Sequence, residues 1–177
     1  EKPDDYVRYL QENPHEIEIL FRELLISVTQ FFRDEEAWIE LGEHLQKLVS
    51  STPENSVIRA WIPGCATGEE AFSLAIVLRE CIRQTEQHIN VQIFGTDLDA
   101  VAIETARLGQ YPGGIAADVS PERLERFFTH DEDLYRIRKE IREMIIFAPQ
   151  NMITDPPFTK LDILSCRNLL IYLNADL

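Results

Sequence analysis

The sequence predicts an α/β fold: an open, mainly parallel sheet with helices on its faces, preceded by a short helical segment. Three observations carry this. From residue 57 onward, short apolar runs alternate with stretches of helical length, the pattern of a parallel sheet built with crossover helices. Before residue 55 the apolar residues recur only at helical spacing. Glycines and carboxylates cluster just after the first two strand-like runs, in "PGCATGEE" and "GTDLD", where open α/β sheets bind their ligands.

Taken in order, Asn13-Pro14 offers an N-cap followed by proline at the first helical position. Ile17, Leu20, Phe21, Leu24, Leu25 and Val28 then form one apolar stripe. "VTQFFRD" interrupts it, and Asp34 is placed to cap a further helix lined by Trp38, Leu41, Leu45 and Leu48, which "SSTPENS" ends. "VIRAWIPG" reads as a buried strand, "EEAFSLAIVLRECIR" as its helix, "VQIFGTD" as a second strand, and "DAVAIETARLG" as a helix stopped by Gly109. "SPERLERFFTH" then predicts a helix, "LYRIR" a short strand, "KEIREM" a helical turn, and "IIFAPQNM" and "LDILSC" two more strands. The expected division is a helical segment with linker over 1–54 and a sheet domain over 55–177. Only about four core strands precede the end at "IYLNADL", against about six in many doubly wound sheets, so a piece of a longer protein is expected.

Of the 177 residues, 45% are hydrophobic and 27% charged, an ordinary globular composition. No apolar run reaches the ~18 residues of a membrane span, and no signal-peptide pattern opens the chain. Seventeen basic and 31 acidic residues give a net charge of -14, which repels phosphate backbones and argues against a nucleic-acid partner. Cys65, Cys81 and Cys166 are odd in number, far apart and form no C-x-x-C pair. A reducing cytoplasm therefore fits better than a disulfide framework or a zinc site.

A turn running into a helix N-terminus normally attracts anions, yet "PGCATGEE" places Glu69 and Glu70 there. The dinucleotide fingerprint needs a third glycine that Gly64 and Gly68 do not supply, and a pyrophosphate would meet Glu69 head-on. A nicotinamide-dependent oxidoreductase is disfavoured on both counts. A ligand without phosphate, offering ribose hydroxyls to Asp97 and a positive end to a glutamate, satisfies the pattern. S-adenosylmethionine, which combines adenosine, an ammonium and a sulfonium, is such a ligand. Structural readings stand beside this one. Thr67 and Glu70 match the S/T-x-x-E capping box; Glu69 fits a dipole-favoured acid of the first turn; Asp97 fits a turn residue, with Asp99 the N-cap of the following helix. His15, His44, His88 and His130 lie in polar surroundings and read as surface residues, Phe31 and Phe32 as packing residues, and Cys166 as buried filler at a strand end.

In sum, "VTQFFRD" (28–34), "PGCATGEEAFSLA" (63–75), "FGTDLDAVAIETARLGQYP" (94–112), "LYRIRKEIREMIIFAPQNM" (134–152) and "LDILSCRNLLIYL" (161–173) resemble the CheR family, the S-adenosylmethionine-dependent protein-glutamate O-methyltransferases of bacterial chemotaxis. The wording is similar to versions found in larger fusions with a receptor methylesterase. The resemblance implies a Rossmann-like methyltransferase fold with a short N-terminal helical segment, a small β-subdomain inserted at 115–147, and a C-terminally incomplete sheet. It implies a cytoplasmic enzyme acting on helices of methyl-accepting chemotaxis receptors or similar sensor proteins. Ser27, Thr29 and Arg33 would then approach the cofactor, Glu69 its methionine end and Asp97 its ribose. Asn151 and Met152 would flank the adenine, Asn168 and Leu169 would close the pocket, and Arg33 with Tyr172 would serve methyl transfer. Ser27 stands where some members carry asparagine, and Ala71 where many carry proline. The family's N-terminal helical domain is mostly missing before residue 14. The sheet edge after "LDILSC" is a place where a second copy would pair. The alternative is a non-catalytic signalling module that binds S-adenosylmethionine or its product S-adenosylhomocysteine.

The implied chemistry asks little of the protein. A glutamate with pKa near ~4.3 is already ionised at pH 7, so no general base is needed; alignment supplies up to ~7–11 kcal/mol. Arg33 can hold a carboxylate bidentately, and Tyr172 can donate a hydrogen bond or set its ring beside the sulfonium. Their structural alternatives are a solvated arginine beside Asp34 and Glu35 and a core aromatic.

Overall fold

A computed structural model describes residues 3–17, 20, 29–85 and 87–172. Its helices are α1 (Pro3–Glu12), α2 (Glu35–Ser51), α3 (Glu69–Thr85), α4 (Ala100–Leu108), α5 (Pro121–Phe127) and α6 (Lys139–Arg142). Its strands are β1 (Val57–Pro63), β2 (Asn90–Asp97), β3 (Gln110–Pro112), β4 (Phe128–Asp131), β5 (Leu134–Ile137), β6 (Ile145–Pro149) and β7 (Ile163–Leu164), with 3-10 turns at Gly113–Ala117 and Leu170–Tyr172. The central sheet has the order β6-β2-β1-β7 and is parallel throughout. β1 pairs with β2 from Val57↔Asn90 to Pro63↔Thr96, which brings both strands to an end at one edge. Between α4 and β6 the chain lays down a small antiparallel sheet, β3-β5-β4. The parallel α/β architecture that the alternation predicts is the one observed.

Packing explains why α3 (Glu69–Thr85) has no exposed side from Ala71 to Leu78. Ala71 through Leu78 are all buried, with Cys81 and Ile82 after them, because the helix packs against α2 and also against β2, β6 and α6. A helix apolar all round belongs inside. Phe31, ahead of α2, meets Tyr111 of β3 edge-on at 4.8 Å and Phe128 of β4 at 5.6 Å. Phe72 of α3 joins this cluster through Tyr111 at 6.1 Å and Phe147 of β6 at 5.4 Å. The packing role read for Phe31 and Phe32 therefore holds; both are buried. On the other face of the central sheet, Phe158 stacks on Phe94 at 4.1 Å, and Trp61 donates its indole N–H to Thr96 Oγ1 at 2.9 Å.

Several local expectations are corrected. The helix read in "SPERLERFFTH" stops at Phe127, because Phe128 pairs with Ile137 and turns inward as the start of β4. "IIFAPQNM" is a strand only to Pro149, and "LDILSC" only over Ile163–Leu164. α1 has no counterpart in the sequence reading. Asn13 donates its side-chain amide back to the Tyr9 carbonyl at 2.8 Å, so it closes α1, while residues 14–17 are helical after it. Phe21, Leu24, Leu25 and Val28 lie outside the described residues. Asp34 precedes α2 but makes no side-chain cap; it sits in the left-handed region at φ 61, and its carboxylate is engaged elsewhere.

Candidate functional site

Because the central strands run parallel, the loops leaving β1, β2, β6 and β7 emerge at one edge. The first is the glycine turn. Gly68 has φ +94, and a Cβ there would come within 2.9 Å of the Ala106 Cβ, so only glycine lets this turn lie against α4. Asp97, at the end of β2, braces the neighbouring loops. Its Oδ2 accepts from the Ala66 N–H at 2.8 Å, its Oδ1 from the Asp99 N–H at 2.9 Å, and its backbone carbonyl from the Gln150 N–H at 2.9 Å. Asp97 is thus a turn residue in fact, but an ionised carboxylate accepts about four hydrogen bonds and keeps capacity for a ligand. Asp99 caps α4 as read, accepting from the Val101 N–H.

The two glutamates opening α3 have different surroundings. Glu69 accepts from the Thr67 hydroxyl at 2.7 and 2.9 Å. Burial lifts its carboxyl above the ordinary 4.5; the Thr67 bond opposes this, while the negative charge of Asp118 adds to it. Glu70 accepts from Ser165 Oγ at 2.6 Å, across to the end of β7. Burial raises its pKa too, but the Ser165 hydroxyl and the positive charges of Arg167 and Arg33 pull it back. The capping box read from Thr67 and Glu70 is therefore not formed. The threonine hydroxyl is spent on Glu69 and the Glu70 carboxylate on Ser165, so neither turns back to the first N–H groups of the helix.

The loop carrying Thr29 and Arg33, both half-buried, is fixed to the same helix. The Phe32 N–H donates to Ser73 Oγ at 3.1 Å, and that hydroxyl donates to the Glu69 carbonyl at 2.7 Å. Leu169 covers the glycine turn, since a Cβ on Gly64 would lie 3.1 Å from its methyl carbons; Asn168 before it adopts φ 56 and is exposed. Asn151 closes a tight turn after β6, its Oδ1 accepting from the Ile153 N–H at 3.0 Å, with Met152 half-buried inside that turn. Ser27 lies outside the described residues; Tyr172 ends the last 3-10 turn, and its side chain is likewise outside them. Cys166 is half-buried rather than buried. The four histidines are exposed, as read. Sequence reasoning missed Ser73, Tyr111, Ser165 and Arg167. Tyr111 donates its hydroxyl to the Thr67 carbonyl at 2.8 Å, and the only signal for any of these was their place inside the five quoted segments.

The family model described as "CheR methyltransferase, SAM binding domain" matches residues 27–176. The chain belongs to this CheR family. Its fold is accordingly the Rossmann-like one of S-adenosylmethionine-dependent methyltransferases, and S-adenosylmethionine is its cofactor. The chain is similar to an uncharacterized 104.1 kDa protein of Rhodobacter capsulatus, 42% identical over 97% of this chain but only 18% of that protein. It is also similar to chemotaxis protein methyltransferases of Escherichia coli, 30% identical over 94% of this chain and 58% of that protein, and of Borreliella burgdorferi, 27% identical over 95% of this chain and 62% of that protein. It thus spans about three-fifths of those two CheR relatives. The residues present fit the family's cofactor: the glycine turn carries a half-buried carboxylate, Glu69, on which the like charge of Asp118 acts, a setting that favours a cation. Among the described residues, no helix is long and apolar enough to cross a membrane.

Proposed function

We propose that this CheR domain holds S-adenosylmethionine across the carboxyl ends of β1, β2 and β6 and methylates glutamate side chains of chemoreceptors in the cytoplasm. The observation that carries the reading is Glu69, a half-buried carboxylate held by the Thr67 hydroxyl at the glycine turn, with the like charge of Asp118 acting on it. When bound, the cofactor supplies a methyl group on a positively charged sulfur, which a carboxylate oxygen can displace. Glu69 holds the ammonium end, Asp97 the ribose, and Asn151 with Met152 the adenine. Asn168 and Leu169 close over the cofactor, and Ser27 and Thr29 contribute to binding it. Arg33 and Tyr172 orient the incoming carboxylate, and Arg33 does so without neutralising it, because a tightly gripped carboxylate is a poor nucleophile. Residues 1–54 act as a helical lead-in to a methyltransferase domain over 55–177. Its small inserted subdomain is the antiparallel sheet β3-β5-β4, so that it takes in Gln110–Pro112 and stops short of Ile145 rather than running over 115–147.

The test is transfer of a labelled methyl group to a receptor cytoplasmic fragment. Base-labile label on glutamate is the expected result. Tight binding of S-adenosylhomocysteine with no label transferred would favour the non-catalytic module, and no binding at all would sink both readings.

Protonation gives a second check. Because the Glu69 carboxyl is raised above 4.5 in the folded protein, chiefly by burial, the folded state holds a proton at pH values above 4.5 where the unfolded state has already lost it. Its charged form is a cost to folding that falls as pH drops through that window. An ammonium needs the ionised form, so binding expels the proton. Affinity for S-adenosylhomocysteine is expected to rise with pH above 4.5 and to level off once Glu69 is ionised in the free protein. Calorimetry in buffers of different ionisation heats would register the released protons. Binding without proton release throughout that window would remove Glu69 from the role.

A further inference from the structure

The geometry points to Arg167 as a positioning residue for the reaction: its guanidinium holds the Arg33 loop against the end of β7. This rests on the proposed role of Arg33. Arg167 Nη2 donates to the backbone carbonyl of Arg33 at 2.8 Å and to Asp34 Oδ2 at 2.7 Å. The guanidinium carbon also lies 5.7 Å from the centre of the Trp38 ring. Two residues earlier, Ser165 is bonded to Glu70, whose carboxyl feels the charges of both Arg167 and Arg33. The segment after β7 is thereby fastened to α3 and to the loop before α2 together.

The loop needs such fastening. Phe32 and Asp34, on either side of Arg33, have φ of 50° and 61°, the left-handed region that residues with a Cβ occupy only when their surroundings hold them there. Phe32 is pinned on one side by its N–H bond to Ser73. Arg167 provides the pin on the other side. The ion pair with Asp34 is not what matters most, because Asp34 is 64% exposed against 26% for Arg167, and exposed pairs contribute little. The bond to the Arg33 carbonyl and the contact with Trp38 involve better-shielded groups. Both fix the backbone from which the Arg33 side chain projects.

The test uses Arg167→Ala, Arg167→Lys, Arg33→Ala and the Arg33→Ala/Arg167→Ala double variant of the protein, read by amide hydrogen exchange and by methyl transfer to a receptor fragment. In Arg167→Ala, exchange over residues 31–34 is expected to quicken about tenfold or more while β1 and β2 keep their protection. Lysine keeps the charge but not the flat fork over Trp38, so it should restore only part of that protection. Transfer by Arg167→Ala should drop about tenfold in kcat, and the double variant should be no slower than Arg33→Ala alone, because both changes remove one function. Unchanged exchange over 31–34, or losses that multiply in the double variant, would overturn the assignment. A wild-type protein that binds S-adenosylhomocysteine but transfers no label would sink the proposed function and the catalytic purpose of the latch, while the exchange result still decides whether the latch exists.

Discussion

Glu69→Gln is expected to weaken S-adenosylhomocysteine binding by about ten- to a hundredfold while leaving the fold as stable as before, or more so. The amide has the carboxylate's shape, and its oxygen can still accept from the Thr67 hydroxyl that now bonds Glu69 at 2.7 Å. What disappears is a charge. A hydrogen bond to a charged group contributes about 1.5–3 kcal/mol, and each 1.4 kcal/mol is about tenfold in affinity, which sets the expected loss. The same charge opposes folding when the site is empty, because burial and Asp118 both disfavour it. Calorimetry and thermal melting at pH 7 would show affinity and stability moving in opposite directions, or affinity moving alone. Unchanged affinity would place the cation end elsewhere. A large fall in melting temperature would return Glu69 to the bland role of an acid opening a helix. Glu70→Gln is the natural contrast, since Glu70 faces two arginine charges and a serine hydroxyl and its charge is compensated within the protein.

What could be read from the sequence divides by the range of the interactions involved. The parallel sheet was legible because β1, α3 and β2 each hold a short unbroken buried stretch, at 60–63, 71–78 and 93–96. The Asp99 cap and the Gly109 stop were legible because each acts within its own turn, through the Val101 N–H in one case and a φ of 59° in the other. The capping box failed for the opposite reason. Its local pattern is intact, but Glu70 finds a better partner in Ser165, 95 residues away. Asp34 likewise forgoes its helix for Arg167, 133 residues on. Neither partner can be recognised before the strands are in register. In the sequence β4 reads as the tail of a helix because "FF" suits either structure; only the pairing of Phe128 with Ile137 decides it. In the site, Glu69 and Asp97 stood out as carboxylates placed where anions normally bind. Ser73 and Arg167 carry no such local contradiction, so nothing marked them in advance.

Phe31→Ala is expected to cost about 3–5 kcal/mol of stability, the range for removing a buried aromatic side chain, and to reduce cofactor affinity as well. Phe31 is only 1% exposed. It is the side chain through which the loop before α2 meets both strands of the small sheet that flank β5, by edge-on contacts with Tyr111 and Phe128. Such pairs add about 0.5–1.5 kcal/mol beyond the area they bury. Against a total stability of about 5–15 kcal/mol for a domain of this kind, the loss is a large share. The effect should reach the crevice because Tyr111, released on one face, also carries the hydroxyl bonded to the Thr67 carbonyl, and Thr67 in turn orients Glu69. Phe31→Leu should recover most of the stability and less of the affinity, since leucine refills volume without restoring the edge-on contact that positions Tyr111. Urea unfolding measures the first quantity and S-adenosylhomocysteine titration the second. A stability loss below about 1 kcal/mol for the alanine variant would mean that the site collapses around the gap, and that the aromatic cluster is not what joins the small sheet to the cofactor crevice.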